Sequence, residues 1–116
     1  MAKEAAVRRY YELIDEERLT DVFDLFAEDI TYDRPGHAPL EGLDAFKQFY
    51  QEDRSLTDGT HEVHEVVAQG QTVAVRGSFS GTQNGCSVEF EFADFHTFDE
   101  MGEITHRATY TDRDTV

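Results

Sequence analysis

The sequence has no tryptophan and a single cysteine, Cys86. One cysteine excludes an internal disulfide and fits a reducing compartment, so a cytoplasmic protein is expected. No His/Cys cluster has zinc-site spacing. No hydrophobic run approaches the roughly 20 residues of a membrane span. The N-terminus runs straight into a charged helical pattern, so no secretory signal is expected. Basic residues are also scarce, eight Arg and two Lys against 25 acidic residues, for a formal net charge of -15. That balance argues against nucleic acid, which needs a basic footprint, and against anionic membrane surfaces. An acidic excess with little lysine predicts a salt-adapted surface and a halophilic host, since concentrated salt screens self-repulsion. There is no Gly-rich phosphate loop, Gly-x-Ser-x-Gly elbow, internal repeat, low-complexity segment or linker. Residues 1–116 read as one domain.

Aromatic residues are plentiful. Nine Phe and five Tyr suffice for a core or a lined cavity. The most informative stretch is Cys86 to Phe98, where apolar and polar residues alternate with period two, the pattern of one long strand. Ser87, Glu89 and Glu91 mark the solvated face. The opposite face carries Cys86, Val88, Phe90, Phe92, Asp94, His96 and Phe98. A carboxyl among phenylalanines is costly to ionise, so burial should raise the pKa of Asp94 and keep it neutral. A neutral Asp94 donates a hydrogen bond, as a catalytic acid must. The plainer alternative is that a backbone amide or a nearby Arg satisfies Asp94 structurally. Cys86, on the same parity, is expected to be a buried structural thiol.

The remaining elements follow from periodicity. Residues 3–15 form an amphipathic helix with Val7, Tyr10, Tyr11 and Ile14 on one stripe. Thr20 is expected to cap a second, short helix carrying Val22, Phe23, Leu25 and Phe26. A strand at 30–32 ends in the Asp33-Arg34-Pro35-Gly36 turn, and the loop through His37 either rims a site or merely connects. A third helix spans 43–53, with Leu43, Phe46, Phe49 and Tyr50 inward. Strands are expected at 61–68, 72–81, 86–98 and 103–112, separated by turn signals. This is an α+β pattern, helices on one face of a curved sheet.

Neither His61 with His64, which face opposite ways on one strand, nor Asp94 with His96 supplies a metal site, and no cofactor is expected. Arg76 faces either solvent or the small-residue side of a cavity. Asp94, His96, Tyr10, Tyr32, Asp33 and Arg34 would converge if the sheet curls around the helices. A few polar groups in an aromatic pocket are the usual make-up of a small-molecule site.

Four stretches carry a family resemblance: Val7 to Tyr10, Leu25 to Gly36, Gly42 to Phe46, and Ala93 to Phe98. In order and spacing they resemble the nuclear-transport-factor-2-like superfamily, which includes SnoaL-type polyketide cyclases and ketosteroid isomerases. The resemblance covers about Val7 to Asp112. It implies a cone of three N-terminal helices on a curved, mainly antiparallel sheet, and a homodimer through the outer sheet face. It places Tyr10 and Asp94 on the oxyanion-binding positions of the isomerases. It also exposes a departure, because the isomerase's basic Asp is replaced here by Arg34, and Asp33 should turn away from the cavity. An Arg does not serve as a base near neutral pH.

The resulting expectation is a small-molecule enzyme acting by isomerisation, cyclisation, dehydration or hydration on an apolar or aromatic carbonyl compound. Asp94 would be acid or oxyanion donor, with Tyr10 as its partner. His96 would accept the proton, and Arg34 would orient substrate. Tyr32, Phe46, Phe49, Tyr50, Phe92, Phe98 and Tyr110 would line the pocket. The rival reading is a non-catalytic ligand-binding or dimerisation module, in which Arg34 forms a buried ion pair with Asp94.

Overall fold

The apolar stripe of the first helix decides where the helices sit. Val7, Tyr10, Tyr11, Leu13 and Ile14 are all buried on α1 (Lys3–Asp15) in the computed structural model, which describes residues 3–53 and 56–112. The helix stops where Glu17 enters the left-handed region at φ 57° and the amide of Arg18 turns back to the carbonyl of Leu13 at 2.9 Å. The short α2 (Leu19–Phe23) follows. Arg18, not Thr20, holds its N-cap position, and no side chain caps it.

Phe26, expected in that helix, instead opens β1 (Phe26–Asp33), on which Phe26, Ala27, Ile30 and Tyr32 are buried. β2 (Leu40–Glu41) is a two-residue edge. The expected helix over 43–53 divides into α3 (Leu43–Gln48) and a π-helical turn (Phe49–Asp53). The wider turn lets consecutive Phe49 and Tyr50 both face inward, their rings 5.0 Å apart.

The sheet is completed by β3 (Leu56–Gln69), β4 (Thr72–Gln83), β5 (Cys86–Phe98) and β6 (Ile104–Thr111). Its order is β2-β1-β6-β5-β4-β3. β3 to β6 form an antiparallel meander, and β1 joins β6 in parallel. The β4–β5 turn is two residues rather than four. Asn84 and Gly85 take φ 50° and 85°, a geometry suited to tight hairpins, so β4 runs on to Gln83.

Curvature has a local cause. A Cβ at Gly77 would lie 2.4 Å from the carbonyl oxygen of Glu62 and 2.8 Å from the Phe92 ring. Glycine lets that ring cross β4, close to a break in the β3 register between Val63 and Glu65. The concave face then buries Phe79, Phe90, Phe92, Asp94, His96 and Phe98 against the helices.

The parity of β5 is as expected, but Cys86 is exposed, because the β4–β5 hairpin extends past the core before its turn. On the outer face Arg76 pairs with Glu65 at 3.4 Å, His64 with Ser78 at 3.2 Å, and Asp33 with His106 at 2.9 Å. Among the described residues no helix is long and apolar enough to cross a membrane.

Candidate functional site

Two strands and one helix set the centre of the concave face. Asp94 and His96 project inward from β5. Thr109 lies opposite Asp94 on β6, and Arg107 lies opposite His96. Arg107 reaches diagonally, and its Nη2 donates to Asp94 Oδ2 at 2.9 Å. Tyr11 donates to the same oxygen at 2.5 Å, and Thr109 donates to Oδ1. Arg107 Nη1 donates to the hydroxyls of Tyr10 (2.5 Å) and Tyr50 (2.7 Å), which also bond each other. Its guanidinium lies over the rings of Tyr10 and Tyr32, at 4.7 and 4.5 Å. Tyr32 completes the cluster through Thr109 at 3.0 Å, and because the Thr109 proton goes to Asp94, Tyr32 is the donor.

The electrostatics follow from burial and pairing. Burial alone would raise the pKa of Asp94. Arg107 and the donors Thr109 and Tyr11 outweigh it and hold the carboxyl below its usual range. Asp94 is therefore an anion, not the neutral acid expected from its aromatic neighbours. Burial would likewise lower Arg107, but Asp94 and the tyrosines raise it well above its ordinary value. Burial, followed by Asp94, pushes Tyr11 far up, and burial takes Tyr32 to about 12.

His96 is lowered to about 3, first by burial, with Arg107 adding and Asp94 opposing. It is neutral. The Tyr11 proton is committed to Asp94, so the 3.1 Å contact between Tyr11 and His96 Nε2 makes Nε2–H the donor. His96 Nδ1 is then buried with no hydrogen-bond partner.

A concavity opens beside this cluster. Its volume is about 30 Å³. Asp94, Arg107, Thr109, Tyr32 and Tyr50 form the polar side. Phe49, Leu56, Phe90 and Phe92 form the apolar side, and His61 also lines it.

Of the expected lining, Tyr32, Phe49, Tyr50 and Phe92 face this space. Phe46 is packed in the core against Phe26 and Tyr50, at 4.5 and 4.9 Å. Phe98 is core at the far end of β5, against the Leu25 side. Tyr110 is 61% exposed on the outer face beside Phe95, because β6 turns alternate residues out.

Among the proposed catalytic residues, Asp94 is at the cavity. Tyr10 is buried beside it, but Tyr11 rather than Tyr10 bonds the carboxylate. His96 sits outside the cavity lining, too strongly desolvated to hold a proton. Arg34 stacks on Phe49 at 4.0 Å and does not pair with Asp94. Arg107, Thr109 and His61 are polar site residues that sequence reasoning missed. A four-residue turn at 99–102 would already have put Arg107 opposite Asp94, since a buried carboxylate on β5 needs a cation from its hairpin partner.

A family model described as SnoaL-like domain matches residues 7–107. No curated protein sequence matches the chain. Among solved structures, an NTF2-like protein of unknown function from Burkholderia pseudomallei K96243 is 20% identical with a TM-score of 0.86, covering 97% of this chain and 92% of that one. An LEH-like epoxide hydrolase from M. tuberculosis is 18% identical, with a TM-score of 0.82 and coverage of 95% and 82%. The epoxide hydrolase/cyclase-like enzyme SalBIII, of pyran ring formation in the polyether salinomycin, is 21% identical, with a TM-score of 0.83 and coverage of 94% and 89%. At these identities the structures speak for the fold, while the family model spans most of the chain, which belongs to the SnoaL-like domain family.

Proposed function

We propose that the chain is an enzyme performing acid/base chemistry on a small apolar carbonyl compound: isomerisation, cyclisation, dehydration or hydration. The observation that carries this reading is the Asp94–Arg107–Tyr50 cluster at the wall of an aromatic cavity. A hydroxyl that accepts from a guanidinium is a better donor in its turn. Tyr50 and Arg107 therefore offer a preorganised place for negative charge developing on a carbonyl oxygen, of a kind where one donor is worth about 3 kcal/mol. Asp94 fixes the guanidinium and Tyr11 rather than giving up a proton. The apolar wall of Phe49, Phe90 and Phe92 selects a planar, hydrophobic ligand. The related epoxide hydrolase and cyclase-like folds support a reaction of this type.

A second reading is a non-catalytic ligand-binding module that dimerises through the outer sheet face, where Val67, Phe95 and Tyr110 are exposed. It is favoured by the direct ion pair on Asp94, which removes that residue as an acid.

Binding of planar phenols, which mimic an enolate, separates the two. The chain lacks tryptophan, so ligand fluorescence can be followed cleanly. Affinity that drops sharply in Tyr50→Phe and Asp94→Asn supports the enzyme. Binding that is absent, or indifferent to both substitutions, moves the assignment to the module.

A further inference from the structure

The cavity holds one more titratable side chain that the cluster does not use. We propose that His61 is the proton acceptor of this site and that Asp15 is its positioning residue. The proposal rests on the acid/base reading above and deepens it.

Asp15 ends α1, and His61 stands on β3 across from it. One carboxylate oxygen of Asp15 takes the backbone N–H of His61 at 2.8 Å, and the other meets ring Nδ1 at 2.6 Å. Two attachments to one carboxylate fix both the backbone and the ring. A carboxylate only accepts, so Nδ1 carries a proton, and in the neutral ring Nε2 holds the lone pair. The ring is wedged among Phe79 (4.9 Å), Tyr11 (5.4 Å) and Phe92 (5.6 Å), which fixes its plane. It lines the same cavity as Asp94, Arg107 and Tyr50. Among the described residues Nε2 has no hydrogen-bond partner.

The other candidates are spoken for. Asp94 already accepts three hydrogen bonds and is paired with Arg107. His96 is outside the cavity lining and neutral. Imidazole is the side chain suited to take a proton near neutrality.

The step balances without a further reagent. The C–H bond α to the carbonyl breaks and its proton goes to His61 Nε2. The electron pair becomes an enolate, whose oxygen faces Arg107 and Tyr50. The resulting imidazolium is held by the Asp15 carboxylate until the proton returns to carbon.

Deuterium exchange at the α carbon of 2-tetralone in D₂O, read by proton NMR, tests this without knowledge of the natural substrate. The wild type should accelerate exchange, and His61→Gln should lose about 100-fold or more of that acceleration. Asp15→Ala should lose part of it, with rescue by Asp15→Glu. The ¹⁵N shifts of His61 should show a single Nδ1–H tautomer in the wild type and a mixture in Asp15→Ala. No acceleration by the wild type, an unchanged rate in His61→Gln, or an Nε2–H tautomer in the wild type would each overturn the proposal. The tautomer measurement needs no variant to fold. Phenol binding that depends on Tyr50 while His61→Gln exchanges normally would remove His61 and leave the enzyme reading standing. Phenol binding that is absent in the wild type, or indifferent to Tyr50→Phe and Asp94→Asn, would remove the enzyme reading itself.

Discussion

Arg107 binds Asp94 on the diagonal of the β5–β6 pair, at 2.9 Å, rather than from the position directly opposite. Thr109 takes the opposite position, so the carboxylate is held from two neighbouring rungs at once. Both charged groups are almost completely withdrawn from water. Removing one partner therefore leaves an uncompensated charge. Arg107→Met should destabilise the fold by about 3–5 kcal/mol in urea unfolding. The double variant Arg107→Met/Asp94→Leu should recover most of that loss. A double variant no more stable than the single one would show that the tyrosine contacts of Arg107, not its charge pairing, carry its structural role.

His96 gives the fold a pH dependence of known sign. Its folded-state pKa is depressed to about 3, below the ordinary histidine value near 6.5. The unfolded chain therefore binds a proton between those values that the folded chain refuses. Stability conferred by neutral His96 is complete above about pH 6.5 and falls as pH drops toward 3, by about 1.4 kcal/mol per pH unit. Asp94, also depressed, adds its own loss only below the usual carboxylate range near 4. Denaturant titrations at pH 7 and pH 5 should separate by that slope in the wild type and much less in His96→Gln. Equal slopes in the two proteins would place the titration elsewhere.

Gly77 is the position where curvature is most exposed to mutation. Gly77→Ala should cost about 1–3 kcal/mol, because the new methyl meets the Glu62 carbonyl and the Phe92 ring. The added variant Phe92→Leu should reduce the penalty by opening the space above β4. Thermal unfolding of the three proteins reads this, and a neutral Gly77→Ala would show that the strands shift without cost.

The formal charge of -15 on 116 residues makes salt a direct lever on stability. Thermal stability should rise steeply between low and molar potassium chloride as self-repulsion is screened. A flat profile would remove the inference of a salt-adapted surface.

Much of this was legible in the sequence because it is periodic. The β5 alternation fixed the inward face of Phe90, Phe92, Asp94 and His96, and the α1 stripe fixed Tyr10 and Tyr11 as buried. Period two, however, does not say what lies across the ladder. The state of Asp94 depended on Arg107, 13 positions later and on another strand. The choice between Tyr10 and Tyr11 depends on the angle at which α1 crosses the sheet, because the two lie about 100° apart around the helix and both fall on its buried side. The outward direction of Tyr110 is not legible because parity counted along β6 needs an anchor, and the break in register near Phe98 hides it. In the sequence His61 stands out only beside His64, as half of a metal pair that strand parity excludes. Its partner Asp15 is 46 positions away and carries no local signal.

The parallel β1–β6 pair bears on how this chain becomes folded. Hairpins β3–β4, β4–β5 and β5–β6 join neighbours and can close early. Tyr32 meets Thr109 across 77 positions, and Arg107 meets Tyr10 across 97. Closing loops of that length is entropically costly and slow compared with forming a hairpin. During synthesis Asp94 leaves the ribosome before Arg107 does, and the two meet when the β5–β6 hairpin closes. Tyr10 and Tyr32 join that pair only through the long closures, which complete the polar cluster, and a chain stopped before β6 would keep its β3–β4 and β4–β5 hairpins while its carboxylate remained without a counter-charge.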